Sequence, residues 1–509
     1  MLARRHLTKG TRTERTREPT DLGPRRRMYG RTRSRRVLFG SAGVVSVAAL
    51  TAGTAWACPP EPGNQQTLIG GVAQSQGEGR DLGTHTGHGP RDAGKTSSKA
   101  SDAVKGVQRV GNAPDAKEAT SLVFMDYGKG PGKRTIMYVS GRFGLKGYDI
   151  SADPRSPKLV GSFDLPGFWQ GEDTEADHKR KIIYLSRDPR AFGGNTDTGE
   201  SGVYVVDVSK PESLKQIAYQ VIPAGHTTSC INDCRYLWTG GPAKAKWMPE
   251  DWGGRPVWVT DVRNPRKPKV FKDPIDTGRN DGKTDYTHDI QVDSSGIAWA
   301  SGRGGVRGYH TSGRHYDPLT KRFRTATPWN PVPYAGGGID EATTNSSFMH
   351  NSYRAVGRTR DQGPDPRKWG DGQTLIVTEE TFNDGCANDG LLVIASLKGS
   401  YGGQGWRSTP DKPFRLRTLG TWSVAGQEGS RPDTDGCSAH YFDVKDGVLA
   451  QSFYEQGTRF IDVRDPTNPR QVAYFRPDDA RAWASYYHGG YIYVADHNRG
   501  IDVLKATFR

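Results

Sequence analysis

The chain has 509 residues, of which 65 are glycine and 32 proline, a combined share well above the roughly 12% of ordinary proteins. Helix interiors tolerate neither residue at that load, so helical bundles, coiled coils and polytopic membrane proteins are excluded, and a turn-rich, all-β chain remains. The formal charge of +15 is concentrated in residues 1–57, which carry +10, so the rest of the chain is nearly balanced and makes no case for nucleic acid as a partner.

Residues 1–57 read as a signal peptide. Arg35-Arg36 precede an uncharged run from Val37 to Ala57 that ends in the small-x-small triplet Ala55-Trp56-Ala57. Ser34-Arg35-Arg36-Val37-Leu38-Phe39 resembles a twin-arginine signal, which implies export of an already folded protein. Met28 is an alternative start. The run is also long enough to span a bilayer, which leaves a retained anchor as the competing reading. Cys58 directly follows the triplet and leaves surface anchoring as a lipoprotein as another. The expectation is a secreted or extracellular protein with no integral membrane domain in its mature form.

Beyond Cys58 there are four cysteines, an even number in an exported chain, so disulfides are expected. The favoured pairs are Cys230–Cys234, across one tight turn, and Cys386–Cys437. A thiolate metal site is the alternative, but 230 and 234 have no second close pair to complete it. Residues 58–103 are rich in Gly, Ser, Thr, Gln and Asp and poor in large apolar residues, as expected of a disordered linker; His85 and His88 within it read as solvated.

From about residue 104 a repeat of about 55 residues begins. Seven strand-like runs mark it: Thr135–Gly141, Lys181–Ser186, Arg235–Gly240, Ile297–Gly302, Leu375–Thr378, Val448–Phe453 and Tyr491–Asp496. After most of them comes a strand ending in Asp and a turn with Pro: Asp149 with Pro154, Asp207 with Pro211, Asp261 with Pro265, Asp462 with Pro466. A half-copy, Gly500-Ile501-Asp502-Val503, closes the chain. The Asp can bond the backbone N–H groups of the turn and Pro presets its dihedral, so both read as structural. Blades 4 and 5 depart from the pattern, with Tyr309-His310 and Ile394-Ala395-Ser396. Four short strands per repeat and seven repeats predict a seven-bladed β-propeller over 104–509, made of four-stranded blades. The last repeat lacks its fourth strand, so an N-terminal strand, Val104–Gly111, is expected to close the ring and remove the free edge. These strand–Asp–turn–Pro units, with Gly225–Cys230 leading into Cys234–Trp238 and Tyr454–Val463, resemble the LVIVD-repeat propellers of exported bacterial proteins. The resemblance implies a fold and no particular activity.

Four histidines stand at matching places near the start of the innermost strand of blades 3 to 6: His226, His288, His350 and His440. Equivalent positions on successive blades converge on the axis, so the four imidazoles can meet at one point. Imidazole suits Zn, Cu or Fe, and the four are the expected ligands of a transition metal in the axial channel. Asp289, Glu379, Glu380 and Asp443 are candidates to orient the rings. Axial four-histidine iron occurs in the seven-bladed carotenoid-cleaving oxygenases, an analogy of geometry without a sequence match. The competing reading is structural: inner-strand histidines can hydrogen-bond channel water or join blades. His178 and His488 have different offsets and read as structural.

A second constellation suggests acid–base chemistry. Glu172, Asp173 and Glu175 fall on the inner strand of blade 2, with Tyr441, Tyr486 and Tyr487 near the channel and Arg142, Arg303 and Arg459 at strand ends. A His/Tyr base with an arginine neutralising a carboxylate suits β-elimination from a uronic-acid sugar. Trp169, Trp247, Trp252, Trp329 and Trp369 in loops could stack on sugars or pack beneath the loops. Three classes therefore stay open: a metal-dependent enzyme, a carbohydrate-active uronate lyase, and a non-catalytic extracellular binding scaffold. The corresponding partners are a small molecule, a glycan or a surface protein.

Overall fold

A computed structural model of the chain describes residues 102–508, apart from 166–170, 189–200, 242–255, 277–286, 303–304, 319, 340–347, 355, 357–371, 381–385, 388–389, 398–416 and 432–435. The signal peptide at 1–57, Cys58, nearly all of the linker at 58–103, Arg303, Trp169, Trp247, Trp252 and Trp369 lie outside the described residues. No helix among the described residues is long and apolar enough to cross a membrane.

Seven antiparallel sheets follow one another along the chain, each built on four strands, here A to D from the axis outward. The A strands are Ala119–Tyr127, Glu175–Asp177, Thr228–Ile231, Thr287–Val292, Met349–Arg354, Phe442–Lys445 and Ala482–His488. The B strands coincide with the seven runs picked out of the sequence. β-Branched and aromatic residues dominate them, as a pleated surface buried on both faces requires. Apolar side chains gather into seven clusters, one at each junction between neighbouring blades, including the junction of blade 7 with blade 1. Each sheet thus buries both faces against its neighbours, and the ring is closed.

The closing strand differs from expectation by a few residues. Gly106, at φ +69°, breaks the N-terminal run in two. Val107–Ala113 is the D strand of blade 7, paired with Gly500–Ala506, while Ala103–Lys105 adds a fifth strand to blade 6 against Arg470–Arg476. Residues 103–113 therefore join two blades.

The repeated Asp does the turn chemistry expected of it. Asp149, Asp207, Asp261 and Asp462 each accept the N–H of the residue two places on, at 2.9, 2.9, 3.0 and 3.1 Å. The turn also receives the neighbouring blade. A β-carbon at Gly161, in the D strand of blade 1, would lie 2.2 Å from Pro211 O in the turn of blade 2. One at Gly111 would lie 1.8 Å from Arg155 O, and one at Gly420 2.6 Å from Pro466 O. Blade 4 lacks the Asp because its C–D connection carries an inserted hairpin, Arg314–Asp317 with Arg322–Thr325, and His310 stacks on His315 of that hairpin at 3.6 Å.

Around the axis, hydroxyls join successive blades. Ser186 donates to Thr228 at 2.7 Å, Ser301 to Ser352 at 2.7 Å, and Ser452 pairs with Ser485 at 2.8 Å. Both expected disulfides are formed, Cys230–Cys234 and Cys386–Cys437.

Candidate metal centre

The four histidines reach the axis because the A strand is irregular where it begins. In blades 4 and 5 the register slips between Thr287 and Asp289 and between Met349 and Asn351, placing His288 and His350 at the bulge. In blades 3 and 6 two consecutive residues serve one partner. His226 N bonds Gly240 O while Gly240 N bonds Thr227 O, and His440 N bonds Ser452 O while Ser452 N bonds Tyr441 O. A bulge turns one side chain out of the pleat's alternation and aims it at the channel.

The rings form a continuous arc. Centroids of His226 and His288, His288 and His350, and His350 and His440 are 4.3, 4.2 and 4.0 Å apart. All four are fully buried. Glu172, expected in a separate acid–base group, instead joins this arc as the member from blade 2. Its Oε2 lies 3.2 Å from His226 Nε2, 3.5 Å from His288 Nε2 and 3.8 Å from His350 Nε2, and accepts from the Tyr441 hydroxyl at 3.4 Å. Glu380 reaches the other end, with Oε1 3.8 Å from His440 Nε2 and 2.5 Å from the Tyr454 hydroxyl. Three sets of potential ligands overlap here, each with ligand atoms within 4.8 Å of one another: Glu172 with His226 and His288, Glu172 with His350 and His440, and Glu380 with His288 and His350.

Hydrogen-bond partners assign the tautomers. His288 Nδ1 is 3.0 Å from His350 O, and His440 Nδ1 is 2.6 Å from Trp483 O; a carbonyl only accepts, so each Nδ1 carries the proton. His226 Nδ1 donates to Asp188 Oδ2 at 2.8 Å. The neutral form of each ring then presents an Nε2 lone pair to the axis. Burial, reinforced by the field of His226, pushes His288 well below the ordinary histidine range and keeps that ring neutral. Burial alone would raise Glu172. A proton on His226 Nε2, donated to the carboxylate, together with positive charge at His288 and His440, lowers it, so ionisation of Glu172 depends on a cation among the rings.

The other sequence candidates fall elsewhere. Asp289 accepts from Gln291 at 2.9 Å, and Asp443 from the Tyr487 backbone N–H at 3.0 Å. His178 and His488 lie at the far ends of their A strands, His488 stacked on Phe124 at 3.9 Å. Arg459 is buried with its donors on Gln456 O, Glu428 O and Gly429 O, and Arg142 lies 3.9 Å from Glu118. Tyr486 meets Ser121 at 3.5 Å, and Trp329 stacks on Phe271 at 5.1 Å. Two residues that touch the cluster escaped the sequence reading. Asp188 lies in the blade before the ring it orients, and Tyr454 sits in a turn at φ +39°. Glu172 carried a usable signal, because Gly171-Glu172-Asp173-Thr174 parallels Gly225-His226-Thr227-Thr228.

No protein family and no curated protein matches the chain. Among solved structures it is similar to a candidate 6-phosphogluconolactonase from Bacteroides fragilis, with 9% identity, 74% of this chain and 88% of that one covered, and a TM-score of 0.44. It is similar also to the C-terminal WD40 domain of Sif2, with 11% identity, 76% and 81% covered, and a TM-score of 0.42. The extracellular domain of a candidate hybrid two-component system from B. thetaiotaomicron gives 10% identity, 78% and 39% covered, and 0.42. Likeness at this level concerns the course of the chain and carries nothing about activity.

Proposed function

We propose that the chain is an exported, metal-binding propeller whose axial centre holds one transition-metal ion through His226, His288, His350 and His440, with Glu172 and Glu380 as carboxylate partners. One observation carries the reading. Three rings have their Nδ1 protons committed to Asp188, His350 O and Trp483 O, so their Nε2 lone pairs converge beside the buried Glu172 carboxyl group. Lone pairs and a carboxyl group gathered in one fully buried cluster call for a cation among them. The donor set of imidazole and carboxylate suits Zn or Fe ahead of Cu(I), which prefers sulfur ligands. Such an ion supplies Lewis-acid or redox chemistry. In this reading Glu172 offsets part of its charge and the Tyr441 hydroxyl holds the carboxylate in place. The two disulfides suit an oxidising compartment outside the cytoplasm, in keeping with the twin-arginine-like leader.

The test is elemental analysis of mature protein purified without a histidine tag. We expect stoichiometric Zn or Fe, absent from His288→Ala/His350→Ala protein that keeps its β-sheet circular dichroism. Metal-free native protein that also fails to take up added Zn²⁺ or Fe²⁺, or stoichiometric metal retained in the double variant, overturns the assignment.

A further inference from the structure

We infer that the Cys386–Cys437 bridge and Gln456 together position Glu380 and His440, so that the axial centre is complete only in the disulfide-oxidised chain. This inference rests on the metal-binding reading and extends it to the control of that site.

The bridge lies beside the two residues in sequence and in space. Cys437 precedes His440 by three residues in the lead-in to the A strand of blade 6. Cys386 follows Glu380 by six residues, between the B and C strands of blade 5. The bond therefore ties blade 5 to blade 6 where each contributes a group to the centre. Ser438 adds a second tie, its hydroxyl donating to Glu379 O at 3.4 Å.

Gln456 connects the bridge to the site. Its side chain is fully buried, and its Nε2 lies 3.5 Å from Cys386 Sγ and 3.3 Å from Cys437 Sγ while donating to Arg431 O at 2.7 Å. Its Oε1 accepts from Arg431 N at 2.9 Å and from Arg459 Nη2 at 3.2 Å. Two residues earlier in the same turn, Tyr454 donates to Glu380 and sets its ring 4.8 Å from that of His440. Glu455 N bonds Gly436 O at 3.1 Å, beside Cys437. The turn 454–457, the bridge, Glu380 and His440 are thus joined by one set of contacts. Among the described residues the other disulfide is not linked in this way to Glu380 or His440. Cys230–Cys234 stays within blade 3, joining the A strand that His226 precedes to the turn that follows it.

Reduction would undo the tie. A thiolate of an external dithiol attacks one bridge sulfur and displaces the other as thiolate. The second thiol of the reagent then resolves the mixed disulfide, leaving two protein thiols and an oxidised, cyclic reagent. The segment carrying Glu380 is then held only by non-covalent contacts. Loss of a group that orients a metal ligand typically costs affinity by about 10–100-fold.

Co²⁺ is the probe, because its visible absorption reports ligand geometry as well as occupancy. Oxidised wild-type protein and the Cys230→Ser/Cys234→Ser variant should bind Co²⁺ with the same affinity and spectrum. Cys386→Ser/Cys437→Ser should bind about 10–100-fold more weakly with shifted visible bands. Gln456→Leu keeps both disulfides and covers the case in which the cysteine variant does not fold; its Co²⁺ bands should shift too. Wild-type affinity and spectrum in a folded Cys386→Ser/Cys437→Ser protein, or in Gln456→Leu, overturn the inference and leave the metal centre standing. Failure of the oxidised wild-type chain to bind Co²⁺, Zn²⁺ or Fe²⁺ overturns the metal-binding reading and this inference with it.

Discussion

His226 and His288 face each other through their Nε2 atoms at 2.6 Å, while the Nδ1 of each ring is committed to a separate acceptor, Asp188 and His350 O. With both Nδ1 protons so committed, the facing Nε2 lone pairs repel unless a cation shared by the two nitrogens, a proton or a metal ion, offsets them. Asp188 therefore matters through His226: it fixes the tautomer and raises the basicity of the ligating nitrogen. Asp188→Ala should bind metal about 10–100-fold more weakly, as measured by competition with a chromophoric chelator, with unchanged circular dichroism. Unaltered affinity would remove Asp188 from the centre.

Metal should also stabilise the ring, since the ligands come from blades 2 to 6 and converge only in the native state. At a free ion concentration of 100 times Kd the gain is about 2.7 kcal/mol. A chelator should therefore lower the thermal midpoint of the wild-type protein and leave that of His288→Ala/His350→Ala unmoved. An equal shift in both would place the stabilising ion elsewhere.

Gly161 tests how the blades dock. Its missing side chain lets the D strand of blade 1 lie against the turn at Pro211, where a β-carbon would meet backbone oxygen at 2.2 Å. Gly161→Ala should cost about 1–3 kcal/mol, because backbone on both sides must part. Gly130, whose added β-carbon meets nothing, is the comparison, although its φ of +64° adds a strain of its own. The readout is the urea midpoint, and a smaller loss at 161 than at 130 would refute the docking argument.

Local chemistry was legible in the sequence, and contacts between blades were less so. The Asp149 and Asp462 turns could be read because Asp bonds a backbone N–H only two residues away. The B strands could be read because burial on both faces selects β-branched and aromatic residues. The histidine arc could be read because each ring holds the same place in its own repeat. Glu172 was set apart from the arc because its two acidic neighbours suggested acid–base work, although its place in the repeat matches that of His226. Asp188 was missed because its partner is 38 residues on and in the next blade. The division of the closing strand turns on Gly106, whose positive φ has no periodic signature.

Closure can be tested at one side chain. Asn112, in the closing strand, donates from Nδ2 to Arg499 O and Ile501 O at 3.1 Å and to Asp502 Oδ1 at 3.0 Å. These bonds join the N-terminal strand to the last strand of the chain. Asn112→Ala should cost about 1–2 kcal/mol, because these bonds are lost. Amide hydrogen exchange should speed up in 107–113 and 500–506 together, with blades 2 to 5 unaffected. Faster exchange on only one of the two strands would mean that they do not open as a unit.

Asp462 gives the repeated turn a pH signature. Its carboxylate accepts from the Arg464 backbone N–H and guanidinium and from Arg470 at 3.3 Å. The bonds from Arg464 dominate, burial opposes them, and the net effect holds the carboxyl at about 2 against an ordinary 3.8. Between those values the native chain binds fewer protons than the unfolded one, so stability rises with pH across the window. The contribution is full above pH 4 and is lost as pH falls toward 2. Because Arg464 and Arg470 are largely solvated, it should amount to about 1 kcal/mol. Asp462→Asn should unfold at lower urea than wild type at pH 7 and pH 5, with the gap narrowing from pH 4 and vanishing near pH 2. A gap that stayed constant across that range would mean that the turn depends on the shape of the side chain and not on its charge.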